Sequence, residues 1–231
     1  QDLLRLDTPS KVDGSVNYAA DIRLPGMVFA AIRQGPDGDT RLVSINRKAG
    51  LASPDVLHMV QHDRWLAVVA RNWWAANRAL DRFAPVFETS GTAPSTASID
   101  AALKAAFTTG GARIVTRGDP DDAFAGGAAV RADYVAAPAL HAPIETRSAT
   151  AVMENGRLRL WVATQAPGAC RAAVAAATGL SERDISLFQM QAGGSFVAAL
   201  DHDVAVQAAI ITRTIGRPVQ LCWSRAEDIM R

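Results

Sequence analysis

The chain has 231 residues, 49% hydrophobic and 20% charged, and its 24 Lys and Arg against 23 Asp and Glu leave a formal net charge of +1. This is a globular composition with enough chain for a sizeable core in one large or two small domains. The charge balance gives no footprint for nucleic acid or an anionic membrane surface.

The two cysteines, Cys170 and Cys222, are isolated. With no CxxC pair they argue against an iron–sulfur cluster or structural zinc held by this chain, and a disulfide between them is not indicated. No apolar run approaches the roughly 20 residues that span a bilayer, so no transmembrane segment is expected. The opening QDLLRLDTPS has neither an initiator Met nor a signal-type apolar stretch, and reads as a processed or truncated start.

In chain order, MVFAAIRQ (27–34) and RWLAVVARN (64–72) are strand candidates. NWWAANRALDRF (72–83) puts Trp73, Ala76, Leu80 and Phe83 on one helical face, so Trp73 is expected in a core and Trp74 facing another domain. His58 and His62, in VLHMVQHDRW, flank an expected exposed turn and carry no specific chemistry. Residues 88–116 are rich in Ser, Thr, Gly and Pro around one short alanine-rich helix, and form the best candidate for a linker or boundary. RGDPDDAFAGGAAV continues as an acidic turn and a short helix.

The second half is more regular. AVMENGRLRLWVAT reads as a hairpin with Asn155-Gly156 as its turn, and Leu158, Leu160 and Val162 alternate with Arg157, Arg159 and Trp161. APGACRAAVAAATGL reads as a helix closed by Gly179, DISLFQM as a strand, DHDVAVQAAIITRTIG as a helix closed by Gly216, and RPVQLCWS as a strand. From residue 151 the order is β-β-α-β-α-β, an α+β or mixed-sheet arrangement. The arginines of SRAEDIMR read as a solvated helix start.

Candidate chemistry gathers at two turns. Gly193-Gly194-Ser195-Phe196 lies between strand 185–190 and the helix beginning near Asp201; it is neither GxGxxG nor a Walker loop. Taken alone it is a tight corner, or a set of exposed N–H groups for a phosphate or oxo ligand. Thr164-Gln165 ends strand 157–163, and a glutamine there can donate its amide to a ligand or simply face water. Both turns sit at strand C-termini before helices, where ligands gather in α/β sheets. His141 and Glu145 are four apart, but Pro138 and Pro143 argue against a helical metal pair, leaving a hydrogen-bonded loop. His202, between Asp201 and Asp203, reads as capping polarity. No Ser/His/Asp triad can be assembled from the four histidines.

Six segments in order, spread over nearly all of the chain, carry a family likeness. RLDTPSKVDGSVNYAADIRLPGMVFAAI and VVARNWWAANRAL resemble the α/β-hammerhead domain of molybdenum hydroxylase large subunits. YVAAPALHAPIET, WVATQAP, GGSF and GRPVQLCWSRAED resemble successive motifs of their molybdopterin-binding domain, with the isoquinoline 1-oxidoreductase β-subunit and related aldehyde oxidoreductases as the nearest subgroup. The resemblance implies an α+β fold: a hammerhead-like domain over 1–115, then the first part of a mixed α/β molybdopterin-binding domain over 116–231.

It further implies a molybdenum–pyranopterin cofactor, as the cytosine dinucleotide, in a full assembly that oxidises aldehydes or N-heterocycles with water as oxygen donor. Gln165 would approach the metal's oxo ligand, and Gly193, Gly194, Ser195 and Phe196 would form the loop at metal and pterin. His141 and Glu145 match an H-A-x-x-E segment near the start of the cofactor domain and are further candidates, for a site role or a structural one. No metal ligand and no catalytic residue is assigned to this chain, since the family's general-base glutamate would lie beyond Arg231. The implied partners are the remainder of the large subunit or a partner polypeptide, an iron–sulfur small subunit, and a second copy of the chain. Two departures stand out. The family's GGGFG reads GGSFV here, with Val197-Ala198-Ala199 where a further glycine and often arginines stand, and the large subunit would continue for several hundred residues past Arg231. The expected outcome is an isolated chain without turnover; the other reading is a non-catalytic ligand-binding or assembly module that keeps the fold.

Overall fold

A computed structural model describes residues 3–109, 111–127, 130, 132–137 and 139–230. Pro138 and Arg231 lie outside the described residues. The chain divides into two compact units: residues 1–90 with 140–231, and residues 91–139.

In the first unit the elements run α1 (Thr8–Val12), β1 (Val28–Gln34), β2 (Thr40–Ser44), α2 (Arg47–Leu51), β3 (Val56–Gln61), β4 (Trp65–Ala70), α3 (Trp73–Phe83) and β5 (Val86–Thr89). The second unit holds α4 (Thr96–Thr109) and α5 (Pro120–Ala123). The first unit then resumes with β6 (Ser148–Glu154), β7 (Arg157–Val162), α6 (Pro167–Thr178), β8 (Ile185–Gln189), α7 (Asp203–Ile215), β9 (Val219–Cys222) and α8 (Arg225–Ile229).

One seven-stranded mixed sheet, ordered β3-β4-β1-β9-β6-β7-β8, carries the first unit, with β2 and β5 as a separate pair. The expected mixed α/β class is what the structure has. The expected boundary at 115/116 falls inside the second unit, and strands from both sides of it share the large sheet.

Burial explains the sheet. All six residues of β4 are buried, because their two faces pack into different clusters. Trp65, Ala67 and Val69 join the larger core with Val204, Ala205, Ala208 and Ile211 of α7, while Leu66, Val68 and Ala70 join Ala76, Ala79, Leu80 and Phe83 of α3. A strand covered on both faces reads as a continuous apolar run rather than an alternating one.

The helix expected at 72–83 is α3. Asn72 caps it by accepting from Ala75 N–H at 2.8 Å, and Trp73 Nε1 donates to Cys222 O at 2.7 Å. Trp74 is exposed, with Arg78 over its ring. The Asn155-Gly156 turn has φ of 51° and 79°, the geometry that a two-residue hairpin between right-twisted strands requires. Gly179 and Gly216 close α6 and α7 in the left-handed conformation.

One stretch corrects the sequence reading. VLHMVQ is the edge strand β3, so His58 lies within a strand and only His62 sits at the turn, stacked on Trp65 at 4.8 Å. Leu57 and Val60 pack onto the core, and that burial outweighed the turn suggested by two histidines and a following Asp. The short elements α1, α2, β2 and β5 were also not anticipated.

Candidate functional site

The site begins with the pairing of β7 and β8, which run parallel with Val162 opposite Gln189. Parallel neighbours end at the same side of a sheet, so the turns after them are brought together. Met190 N–H continues the ladder to Val162 O at 3.0 Å, and Gln189 Nε2 reaches across to Thr164 O at 2.8 Å. Between the two turns lies an open depression of about 410 Å³ lined by Thr164, Gln165, Gln189, Met190, Gln191, Ala192 and Ala199.

Two sets of bonds fix the far wall. Gln165 N–H donates to Ala199 O at 3.0 Å, Ala199 N–H donates to Ser195 Oγ at 3.1 Å, and Ser195 Oγ donates to Gln165 Oε1 at 2.8 Å. These three bonds form a closed ring between the turn after β7 and the loop after β8.

On its other flank the loop docks on residues 143–145. Gly193 N–H donates to Glu145 Oε2 at 2.9 Å and Glu145 N–H donates to Gly193 O at 3.2 Å. A side chain at 193 would put its Cβ 2.5 Å from the Glu145 Cβ; at 194, where φ is +102°, the Cβ would lie 3.1 Å from Pro143. The two glycines are therefore required by the close approach of the loop backbone to Glu145 and Pro143.

The next two residues break the local rule. Phe196 and Val197 have φ of 49° and 75°, and both side chains are exposed. For a β-branched residue this is a genuine outlier, worth on the order of 1–3 kcal/mol of strain. The departure from GGGFG thus falls on a position whose backbone still has a glycine-like conformation. The loop is held in it by Ala198 N–H to Ser195 O at 2.9 Å and Leu200 N–H to Val197 O at 3.0 Å, as well as by the ring.

Behind the loop, Arg147 bonds Asp201 at 2.9 Å and stacks over Trp223 at 4.9 Å, while Asp228 bonds Arg225 at 3.1 Å and faces Arg147 at 3.7 Å. With the Arg147 side chain only 13% exposed and that of Asp228 3%, losing one partner would leave a poorly solvated charge. Arg225 also donates to Ile144 O at 2.9 Å, so the expected solvated arginine anchors the 143–145 segment instead.

At the start of α7 it is Asp201 that caps, accepting from Asp203 N–H at 2.7 Å. His202 makes no side-chain cap bond, contrary to the capping polarity expected of it. Burial raises the Glu145 carboxyl above its usual value, partly opposed by the Gly193 N–H. Burial also pushes the Cys170 thiol up to about 11 and the Cys222 thiol up to about 12, the latter aided by the Glu145 charge. Both thiols are free and inert in this state.

Gln165 and residues 193–196 are therefore neighbours, and Glu145 joins them through Gly193. His141 does not: it is exposed and makes no hydrogen bond among the described residues. Gln189, Gln191 and Ala199 were missed. The signal was the inward parity of Ile185 and Leu187, which continues onto Gln189 at the strand end and Gln191 beyond it.

The sequence profile of the molybdopterin cofactor-binding domain matches residues 106–231. The chain belongs to this family. Over its whole length this chain is 26% identical to the isoquinoline 1-oxidoreductase β-subunit of Brevundimonas diminuta, spanning 31% of that protein. It is 26% identical to a nicotinate dehydrogenase subunit of Pseudomonas putida, with 97% of this chain matching 20% of that one. In fold it is similar to quinoline 2-oxidoreductase from Pseudomonas putida 86, with a TM-score of 0.73 and 24% identity over 99% of this chain and 35% of that one. It is also similar to the aldehyde oxidoreductase of Desulfovibrio gigas, with a TM-score of 0.71 and 18% identity over 97% and 30%. The chain thus spans about a third or less of the length of these relatives.

The loop yields two testable expectations. Val197→Gly should stabilise the chain by about 1 kcal/mol in urea unfolding, the relief of strain exceeding the entropy cost of an added glycine; an unchanged or lower midpoint would contradict the strain. For Glu145, the raised native pKa means that the folded state binds more protons than the unfolded state between the two values. Its contribution to stability is therefore greatest at low pH and declines as pH rises from the usual 4.5 through the raised native value. Glu145→Gln, which keeps an acceptor for Gly193, should lack that decline, and parallel pH–stability curves for the two proteins would refute it.

Proposed function

We propose that this chain forms the cofactor-facing part of a molybdenum-dependent oxidoreductase that oxidises aldehydes or N-heterocycles, with water as oxygen donor. The observation that carries this reading is the joining of Gln165 to the 193–199 loop at the C-terminal ends of β7 and β8, around one polar depression. The molybdopterin-binding family and relatives named for isoquinoline and nicotinate oxidation support it.

The residues present fit one end of such a cofactor. The depression offers side-chain amides able to hydrogen-bond to a bound group, and among the described residues no charged side chain lines it. That suits an uncharged, acceptor-rich end better than the phosphates of a dinucleotide, which call for cations or helix N-termini. When bound, the molybdenum–pyranopterin supplies two-electron redox chemistry at the metal. The chain's own residues bind and orient: Gln165 presents its amide, the glycine pair lets the loop lie against residues 143–145, and Glu145 holds Gly193. None of them moves a proton in the reaction, so the general base comes from outside these residues.

Accordingly the cytosine dinucleotide form, the remainder of the large subunit and an iron–sulfur small subunit that carries electrons away are parts of this reading. One observation favours the second reading, a non-catalytic ligand-binding or assembly module: strained, exposed Phe196 and Val197 stand on the depression's loop.

Co-expression with the neighbouring subunits decides between them. Metal analysis of the assembly should find molybdenum, acid hydrolysis should release CMP, and aldehydes or N-heterocycles should be oxidised, while the isolated 231-residue chain shows no turnover. An assembly without molybdenum would favour the module. Turnover by the isolated chain would contradict the need for outside residues.

A further inference from the structure

We propose that Ser195 is a positioning residue for Gln165: its hydroxyl holds the amide with Oε1 turned to the loop and Nε2 turned to the depression, so that the site takes its ligand through an oxygen acceptor. This rests on reading the depression as one end of the cofactor site.

An exposed glutamine amide is normally loose about its last torsion, and its two faces offer opposite chemistry, donor or acceptor. At Gln165 the choice is made by the ring. Ala199 N–H uses one lone pair of Ser195 Oγ, and the hydroxyl's single proton goes to Gln165 Oε1 at 2.8 Å. Ser195 does not line the depression, whereas Gln165 does. Oxygen and nitrogen branch from the same amide carbon, so an Oε1 bound to Ser195 turns Nε2 away from that hydroxyl, and the proposal directs it to the depression that Gln165 lines.

The backbones of both partners are pinned: Gln165 N–H bonds Ala199 O at 3.0 Å and Ser195 O accepts from Ala198 N–H at 2.9 Å. Gln189, the other glutamine reaching across the turns, spends one of its two Nε2 protons on Thr164 O. A glycine at 195, as in the GGGFG pattern, could not make the choice. The hydroxyl therefore supplies what the glycine of that pattern lacks.

The test compares Ser195→Ala and Ser195→Thr with the wild type in two readouts. In the ¹⁵N-labelled 231-residue chain, the order parameter of Gln165 Nε2 should be roughly 0.8 in the wild type and in Ser195→Thr, and fall below roughly 0.6 in Ser195→Ala. In the assembled holoprotein, Ser195→Ala should keep its molybdenum but change the metal's electron paramagnetic resonance signal and lower kcat roughly 10- to 100-fold, and Ser195→Thr should restore both. An Nε2 order parameter unchanged in Ser195→Ala would overturn the proposal, as would an unaltered metal signal in a loaded Ser195→Ala holoprotein. An assembly that holds no molybdenum overturns the functional reading instead, and the order parameter then decides the role of Ser195 alone.

Discussion

The structure depends on β9 more than on any other element. Four residues, Val219–Cys222, are inserted between β1 and β6, parallel to the first and antiparallel to the second. Without them the sheet would be two pieces, β3-β4-β1 and β6-β7-β8, each with an open edge. The insertion is secured on both faces. Val219 and Leu221 enter the core under α7, while on the other side Gln220 Nε2 donates to Ala20 O and Ile22 O, and Trp73 of α3 reaches Cys222 O. Chain segments nearly 200 residues apart meet on this strand.

The order that β9 imposes at the centre of the sheet places the candidate site at its edge. β7 and β8 end together because they are parallel, and the loops leaving them must cross before entering α6 and α7. The crossing is held by short polar contacts rather than by apolar burial: the ring through Gln165, Ala199 and Ser195, and the paired bonds of Gly193 and Glu145. Hydrogen bonds of this kind contribute about 1 kcal/mol each, but leaving a buried partner unmatched costs more. Such a clamp tolerates strain at Phe196 and Val197 because the surrounding bonds fix the backbone on either side.

The sequence carried much of this in local form. Asn155-Gly156, Gly179 and Gly216 announced the hairpin and the ends of α6 and α7, because each needs a positive φ that few residues adopt. The apolar face of α3 and the strands beside it were equally plain. What could not be read was whatever depends on partners distant in the chain. β3 looked like a turn because its reason for being extended is the core it covers, not its own composition. Gly193 and Gly194 looked like a bland corner because Pro143 and Glu145, which demand them, stand some 50 residues earlier. The resemblance joined GGSF to WVATQAP by family order, but only the fold shows the Ser195–Gln165 bond, and only the backbone shows that Val197 occupies a conformation suited to glycine.

On the proposed reading, the clamped turns at the ends of β7 and β8 face the metal end of the cofactor. Anomalous diffraction at the molybdenum edge from crystals of the assembled protein tests it most directly. A molybdenum peak is expected in the depression, before the Gln165 amide and the 193–199 loop. A peak elsewhere in an assembly that retains this fold would contradict it.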